Sequence, residues 1–282
     1  PPSTEKFHDI KLVLRQHNLH TVCQEAHCPN MSECWSGGTA TFMVLGDTCT
    51  RGCRFCAVKM AFPPAALDEK EPENLANAIS KLNLDYVVIT SVNRDDLGDQ
   101  GAGHFAACIR SIREKTPWIK IEVLIPDFRG NKELINKIIE AMPDVIAHNV
   151  ETVEGLQRKV RDPRAGYKQS LSVLRYVKET APKIYTKSSI MLGLGEKDDE
   201  VIDTMKDLRS TGVDILTIGQ YLQPSQLHLI VTEYVHPDKF AWFKEKAEDL
   251  GFLYAASGPF VRSSYRAGEL FLKNVIRASP IQ

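Results

Sequence analysis

The chain has 282 residues, 43% of them hydrophobic and 25% charged, with a formal net charge of −1 at pH 7. That is the makeup of a soluble globular enzyme, long enough for one large domain or two small ones. A general nucleic-acid binder would be basic, and no apolar run reaches the roughly 18 residues of a bilayer span, so both classes are excluded. The first element in chain order is a helix, "STEKFHDIKLVLRQHN" (3–18). Six short runs rich in β-branched residues then read as buried strands: "ATFMVLG" (40–46), "DYVVIT" (85–90), "KIEVLIP" (120–126), "DVIAHNV" (144–150), "IYTKSSIMLG" (184–193) and "DILTIGQYL" (214–222). Helical patterns separate them. "EPENLANAISKL" (71–82) has Pro72 in its first turn and Leu75, Ala78, Ile79 and Leu82 on one face. "GHFAACIRSIREK", "NKELINKIIEAM", "QSLSVLRYVKET" and "KDDEVIDTMKDLRSTG" follow, the last stopped by Gly212. After position 222 come a loop, "QPSQLHLIVTEYVHP", a helix, "DKFAWFKEKAEDLG", and the end, "FLYAASGPFVRSSYRAGELFLKNVI".

Strand and helix alternate through six units, which argues for parallel strands joined by right-handed crossovers. Six units are too few for a closed eight-stranded barrel. The expectation is an α/β fold, a partial (β/α)6 barrel, with a doubly wound open sheet as the alternative. It divides the chain into an N-terminal extension (1–39), the partial barrel (40–222) and a C-terminal extension (223–282).

Of seven cysteines, six lie between positions 23 and 56, and Cys108 stands alone. An odd number bunched in one stretch is a poor disulfide framework and reads as metal binding. "GDTCTRGCRFC" (46–56) spaces Cys49, Cys53 and Cys56 as C-x(3)-C-x(2)-C, just past the first strand. In parallel barrels that is the catalytic face. Thiolates suit zinc or iron–sulfur clusters, and three of them leave one iron of a 4Fe-4S cube open. "VCQEAHCPNMSECW" carries Cys23, Cys28 and Cys34 as C-x(4)-C-x(5)-C, too wide for a zinc knuckle. A second cluster is the natural expectation. Cys108 reads as a core residue, and His148, His104 and His27 as structural as readily as catalytic.

The first triad, with Phe55 just before Cys56, resembles the signature of the radical S-adenosylmethionine (SAM) superfamily. Joined with "TVCQEAHCPNMSECW", "TSVNRDDLGDQGA", "PDFRG", "AHNVETV", "KSSIMLGLGE", "GQYLQPS" and "SGPFVRSSY", it resembles the lipoyl synthase family from about residue 20 to residue 270. The resemblance implies two 4Fe-4S clusters and SAM as cofactors. It implies insertion of two sulfur atoms at carbons six and eight of a protein-bound octanoyl-lysine. SAM on the open iron would give a 5′-deoxyadenosyl radical, and the auxiliary cluster on Cys23, Cys28 and Cys34 would donate sulfur. Its fourth ligand would be a serine of the motif Arg262, Ser263, Ser264 and Tyr265, assigned to Ser264 with Ser263 as runner-up. An alkoxide is harder than a thiolate and makes a weak ligand, as suits a cluster that comes apart.

SAM also needs polar contacts at strand ends. The candidates are Thr90 and Ser91, Asn149 and Glu151, and Lys187; each can equally serve the backbone. Gly193 and Gly195 read as sites of close backbone approach. The implied partners are an octanoylated carrier domain, either glycine cleavage H protein or a dehydrogenase E2 lipoyl domain, an electron donor such as ferredoxin or flavodoxin, and an iron–sulfur carrier protein. Arg158, Lys159, Arg161, Arg164 and Lys168 form a basic run that suggests a docking patch for the carrier, or else a solvated charged face. The start, "PPSTEKFHDI", has neither a secretory nor a transit pattern, so the expected site is intracellular: cytoplasm in a bacterium, mitochondrial or plastid matrix in a eukaryote. The rivals are another sulfur-inserting radical SAM enzyme, close to biotin synthase in chemistry, and a non-catalytic iron–sulfur electron carrier.

Overall fold

The β-branched runs become strands because they are covered on both faces. In the computed structural model residues 5–17, 19–25, 28–36, 40–82, 84 and 86–264 are described. His27, Tyr265 and the stretch 266–282 lie outside them. The N-terminal part holds α1 (Glu5–Gln16), β1 (His20–Thr21), α2 (Val22–Glu25) and α3 (Met31–Ser36). Then come β2 (Thr41–Val44), β3 (Thr48–Cys49), β4 (Lys59–Met60), α4 (Glu71–Leu82), β5 (Tyr86–Ser91), α5 (Ala102–Lys115), β6 (Lys120–Leu124) and α6 (Lys132–Glu140). The second half holds β7 (Val145–Ala147), α7 (Gln157–Val160), α8 (Tyr167–Thr180), β8 (Tyr185–Leu192), α9 (Asp198–Ser210), β9 (Ile215–Gln220), α10 (Pro237–Asp249) and β10 (Tyr254–Gly258).

The main sheet runs β1-β2-β5-β6-β7-β8-β9-β10. All its pairings are parallel except β1 on β2. The six expected strands are all present and consecutive. β10 adds a seventh parallel strand, in register with β9 from Tyr254↔Ile215 to Gly258↔Gly219. Part of the C-terminal stretch is therefore built into the barrel wall. Its sequence, Tyr-Ala-Ala-Ser-Gly, has no β-branched residue, which is why it does not read as a strand.

Strand alternation separates two faces. Val87, Ile89, Ile121, Val123 and Ile146 pack outward against α4 and α5 residues such as Leu75, Ile79, Phe105 and Ile109. Leu216, Ile218 and Ala255 do the same against Phe240 and Phe243 of α10. Burying each such Phe, Ile or Leu contributes about 1.5–3 kcal/mol. The opposite parity faces the barrel interior, where Tyr86, Val88, Val145 and Ile215 form a small cluster with Tyr185 and Tyr254. Cys108 is fully buried on α5, in the helix-side core. Among the described residues no helix is long and apolar enough to cross a membrane.

Candidate active site

Cys49 ends β3, and the loop behind it carries Cys53 and Cys56. All seven cysteines are free thiols. Backbone amides point at the sulfurs: Arg51 N and Asn93 N each lie 3.4 Å from Cys49 Sγ, and Asp162 N lies 3.4 Å from Cys53 Sγ. Such donors stabilise negative sulfur and tune a cluster that thiolates hold. Burial pushes the Cys53 thiol up and the Cys56 thiol up to about 12. A cation is therefore needed to hold both as thiolates.

The loop is anchored by charge. Arg51, between Cys49 and Cys53, makes paired bonds to Asp95 at 2.8 and 2.9 Å and to Asp127 at 2.7 and 2.9 Å. These side chains are 1–3% exposed. Burial alone would raise both carboxyls, yet the Arg51 bonds and charge hold them below the usual carboxylate range. Thr50 bonds Asp95 Oδ2 at 2.9 Å, and Gly52 N donates to Asp162 Oδ2 at 2.9 Å. Arg164 bonds Asp162 Oδ1 at 2.8 Å and the Thr50 carbonyl at 2.7 Å. Its bonds hold the Asp162 carboxyl low. Three connections, after β5, after β6 and after α7, thus grip one cysteine loop. Asp95 and Asp127 lie in the motifs "TSVNRDDLGDQGA" and "PDFRG", and Asp162 lies within the basic run, yet none of the three stands out as a site residue in the sequence. The available signal was an arginine inside the cysteine motif, with acidic residues following strands whose ends face it.

The strand-end candidates do not all meet. Thr90 has the interior parity of β5, and Asn149 and Glu151 lie just past the end of β7. Thr90 Oγ1 donates to the Leu124 carbonyl at 3.1 Å. Asn149 Oδ1 is buried without a partner. Glu151 has a left-handed φ of 68° and bridges to Ile190. Burial pushes its carboxyl up, against the pull of Arg161 and Asn149, and its charge is felt at Cys53 and Cys56. Ser91 falls on the helix-facing parity, its buried hydroxyl also unpartnered. Lys187 lies lower in the barrel, 1% exposed, with Nζ 2.7 Å from Glu122 Oε1. Tyr86 OH donates to the same carboxylate. Lys187 is thus held by an ion pair in the barrel floor. Gly193 and Gly195 have φ of 96° and 106°, but only Gly193 shows the expected close approach, since a Cβ at 195 would stand 3.8 Å from Thr232. A Cβ at 193 would stand 2.3 Å from Gln220 Nε2.

His148 is structural. Arg161 Nη1 donates to Ser170 Oγ at 2.9 Å, Ser170 lies 2.9 Å from His148 Nε2, and Nδ1 faces the Ile125 carbonyl at 2.9 Å. Burial and the Arg161 charge push its pKa down to about 4, so it is neutral. Arg161 is correspondingly buried, which removes it from the expected docking patch, while Arg164 pairs with Asp162 yet keeps an exposed side chain. Arg158, Lys159 and Lys168 stay exposed, joined by Arg54, whose Nη1 lies 3.4 Å from the Lys159 carbonyl. His104 Nε2 lies 2.7 Å from Glu71 Oε2, which also accepts from Leu45 N at 2.9 Å. Cys108 lies beside that pair. The carboxylate thereby steadies the left-handed Leu45 turn into the cysteine loop.

In the second triad Cys23 and Cys34 are buried and Cys28 half-buried. Cys28 N bonds the Cys23 carbonyl at 3.0 Å, and Cys34 N bonds the Asn30 carbonyl at 2.9 Å. The pairing of β1 with β2 ties this segment to the first barrel strand. The C-terminal motif comes to the same place. Asn30 Nδ2 donates to the Phe260 carbonyl at 2.7 Å, and burial pushes the Arg262 guanidinium pKa down against the opposing pull of nearby Cys28. Ser263 and Ser264 are half-buried.

Comparison with known proteins agrees with this geometry. Residues 43–208 match the radical SAM superfamily. A lipoyl synthase of Halobacterium salinarum is 62% identical over 282 residues, covering 98% of this chain and 90% of the relative. A chloroplastic lipoyl synthase of Populus trichocarpa is 58% identical over 283 residues, covering 99% and 71%. The crystal structure of methylornithine synthase aligns at a TM-score of 0.57 and 11% identity, covering 98% and 94%, a likeness of fold alone.

Proposed function

The chain belongs to the lipoyl synthase family of radical SAM enzymes, and from that premise we propose how its residues divide the work. The enzyme is a sulfurtransferase that inserts two sulfur atoms at carbons six and eight of an octanoyl group on a carrier-protein lysine, with SAM and two 4Fe-4S clusters. The observation that carries the reading is the C-x(3)-C-x(2)-C loop at the barrel mouth, with a second triad set against the C-terminal serine motif. Cys49, Cys53 and Cys56 hold the cluster that leaves one iron open. Cys23, Cys28 and Cys34 hold the auxiliary cluster, with Ser264 as its fourth ligand. The amides aimed at sulfur fit cluster ligation. The orphaned Asn149 acceptor and the Glu151 carboxylate beside the first triad fit a cationic or hydroxyl-bearing ligand such as SAM. When bound, these groups supply hydrogen-atom abstraction from an unactivated carbon and the sulfur that replaces it.

The chain supplies position and dryness. Asn149 and Glu151 orient SAM, and Thr90 shapes the wall between them. Ser91 and Lys187 support the strands from the helix side and the floor. The interior cluster of Tyr86, Val88, Val145 and Ile215 closes the barrel below and excludes water. The division at 1–39, 40–222 and 223–282 is then one of cluster duty, since β10 belongs to the barrel wall.

The carrier is glycine cleavage H protein or an E2 lipoyl domain, docking against exposed Arg54, Arg158, Lys159 and Lys168. Ferredoxin or flavodoxin supplies electrons, and an iron–sulfur carrier protein rebuilds the spent cluster. The work is done in the cytoplasm or an organelle matrix. The test is anaerobic turnover of an octanoyl-lysine peptide with SAM and a reductant. A product carrying two added sulfurs, with 5′-deoxyadenosine formed, is expected. Release of 5′-deoxyadenosine with no sulfur transfer would overturn the reading.

A further inference from the structure

The parallel sheet is open: among the described residues β2 pairs with β1 and β5, and β10 pairs only with β9. Each cysteine-bearing or serine-bearing extension stands on one side of this seam. One side chain reaches across it. Asn30, between Cys28 and Cys34, donates from Nδ2 to the Phe260 carbonyl at 2.7 Å. Asn30 is 6% exposed, and a buried amide left without this bond would cost about 1–3 kcal/mol. On its own side it is part of the cysteine segment, since its carbonyl accepts from Cys34 N at 2.9 Å.

The far side is shaped to receive it. Val261 N bonds the Gly258 carbonyl at 3.0 Å, and Arg262 Nη1 donates to the Pro259 and Val261 carbonyls at 3.3 and 2.8 Å. These bonds curl 258–262 into a compact turn that aims the Phe260 carbonyl at Asn30. The turn lies flat on β9 because Gly219 has no side chain. A Cβ there would meet the Val261 carbonyl oxygen at 2.1 Å. Phe260 precedes Ser264 by four positions.

A serine oxygen binds iron too weakly to organise its own chain segment. Its effective concentration at the cluster must be set by something else, because 230 positions separate the two segments. We propose that Asn30 is a positioning residue: its amide latches the C-terminal turn to the cysteine segment and thereby sets the reach of the serine ligand. This rests on the reading that the auxiliary cluster takes its fourth ligand from Ser264. Asn30 touches neither substrate nor cluster in this role. Thiolate ligation survives its loss, and the serine-bound iron becomes the exposed one.

The experiment uses the anaerobically reconstituted protein without SAM or substrate, and follows iron release to a ferrous chelator. Asn30→Leu is expected to release its most labile iron roughly 3–10-fold faster, the range set by losing one hydrogen bond, with the slower iron unchanged. Asn30→Gln, which keeps the donor, is expected to restore most of the difference. In a Ser264→Ala background Asn30→Leu should add nothing. Unchanged release in Asn30→Leu would overturn the latch. So would equal acceleration in the Ser264→Ala background, which would make Asn30 a support for the cysteines alone. If Ser264→Ala is itself silent and the Asn30 effect vanishes only in Ser263→Ala, the latch stands and the choice of Ser264 fails.

Discussion

The two cysteine triads of this chain are held in opposite ways. Cys49, Cys53 and Cys56 lie on one short loop gripped from three directions by Asp95, Asp127 and Asp162, with Arg51 at the centre. Cys23, Cys28 and Cys34 lie on two short helices and the link between them, and their segment meets the distant serine motif through the amide of Asn30. The first arrangement suits a site whose open position must stay in place through many turnovers. The second suits a site from which one ligand leaves.

The largest effect separates the triads outright. Replacing Cys49, Cys53 and Cys56 by alanine should lower iron from about eight to about four per chain and abolish SAM cleavage. Replacing Cys23, Cys28 and Cys34 should lower iron equally yet spare some cleavage. Iron analysis and 5′-deoxyadenosine assay decide it, and loss of cleavage in both would erase the distinction.

Next is the leaving ligand. Ser264→Cys should keep both clusters and SAM cleavage but make little or no lipoyl product, because a thiolate stays where an alkoxide departs. Normal product from this variant would show that release at this position is not required.

The grip on the first loop can be broken at its centre. Arg51→Gln leaves buried Asp127 without its arginine, while Asp95 keeps Arg129 at 3.0 Å and Arg164 at 3.6 Å, and it should destabilise the apo-protein by about 3–5 kcal/mol in denaturant unfolding. Its pH dependence sharpens the point. In the wild type the folded pKa values of Asp95 and Asp127 lie below the unfolded value near 4, so their stabilisation is present above it. It is lost as pH falls through the lowered folded values. Without Arg51 burial raises the Asp127 carboxyl, and its contribution to stability should instead fall as pH rises through the unfolded value. An unchanged slope would mean that the pair does not anchor the loop.

The smallest effect is at the surface. Charge reversal at Arg158 and Lys159 should weaken use of the carrier protein and its salt dependence, with activity on a short octanoyl-lysine peptide unchanged. Equal loss with both substrates would count against docking there. Arg161 is excluded from this test, because its charge is held inside the fold.

The sequence by itself determined the local elements and both thiol sets. Six strands and their helices follow from apolar periodicity, and β2 through β9 realise them in consecutive order. The triads are legible because their ligands are close in sequence. Tertiary structure alone decided the rest. Arg51 meets partners 44 and 76 positions away, and Asn30 meets one 230 positions away. No local pattern encodes such pairs. A lysine or arginine looks the same in a sequence whether it is solvated, as Lys159 is, or sealed against a carboxylate, as Lys187 is against Glu122. Only the packing of distant strands fixes which charges lose water, and a buried charge then requires its partner.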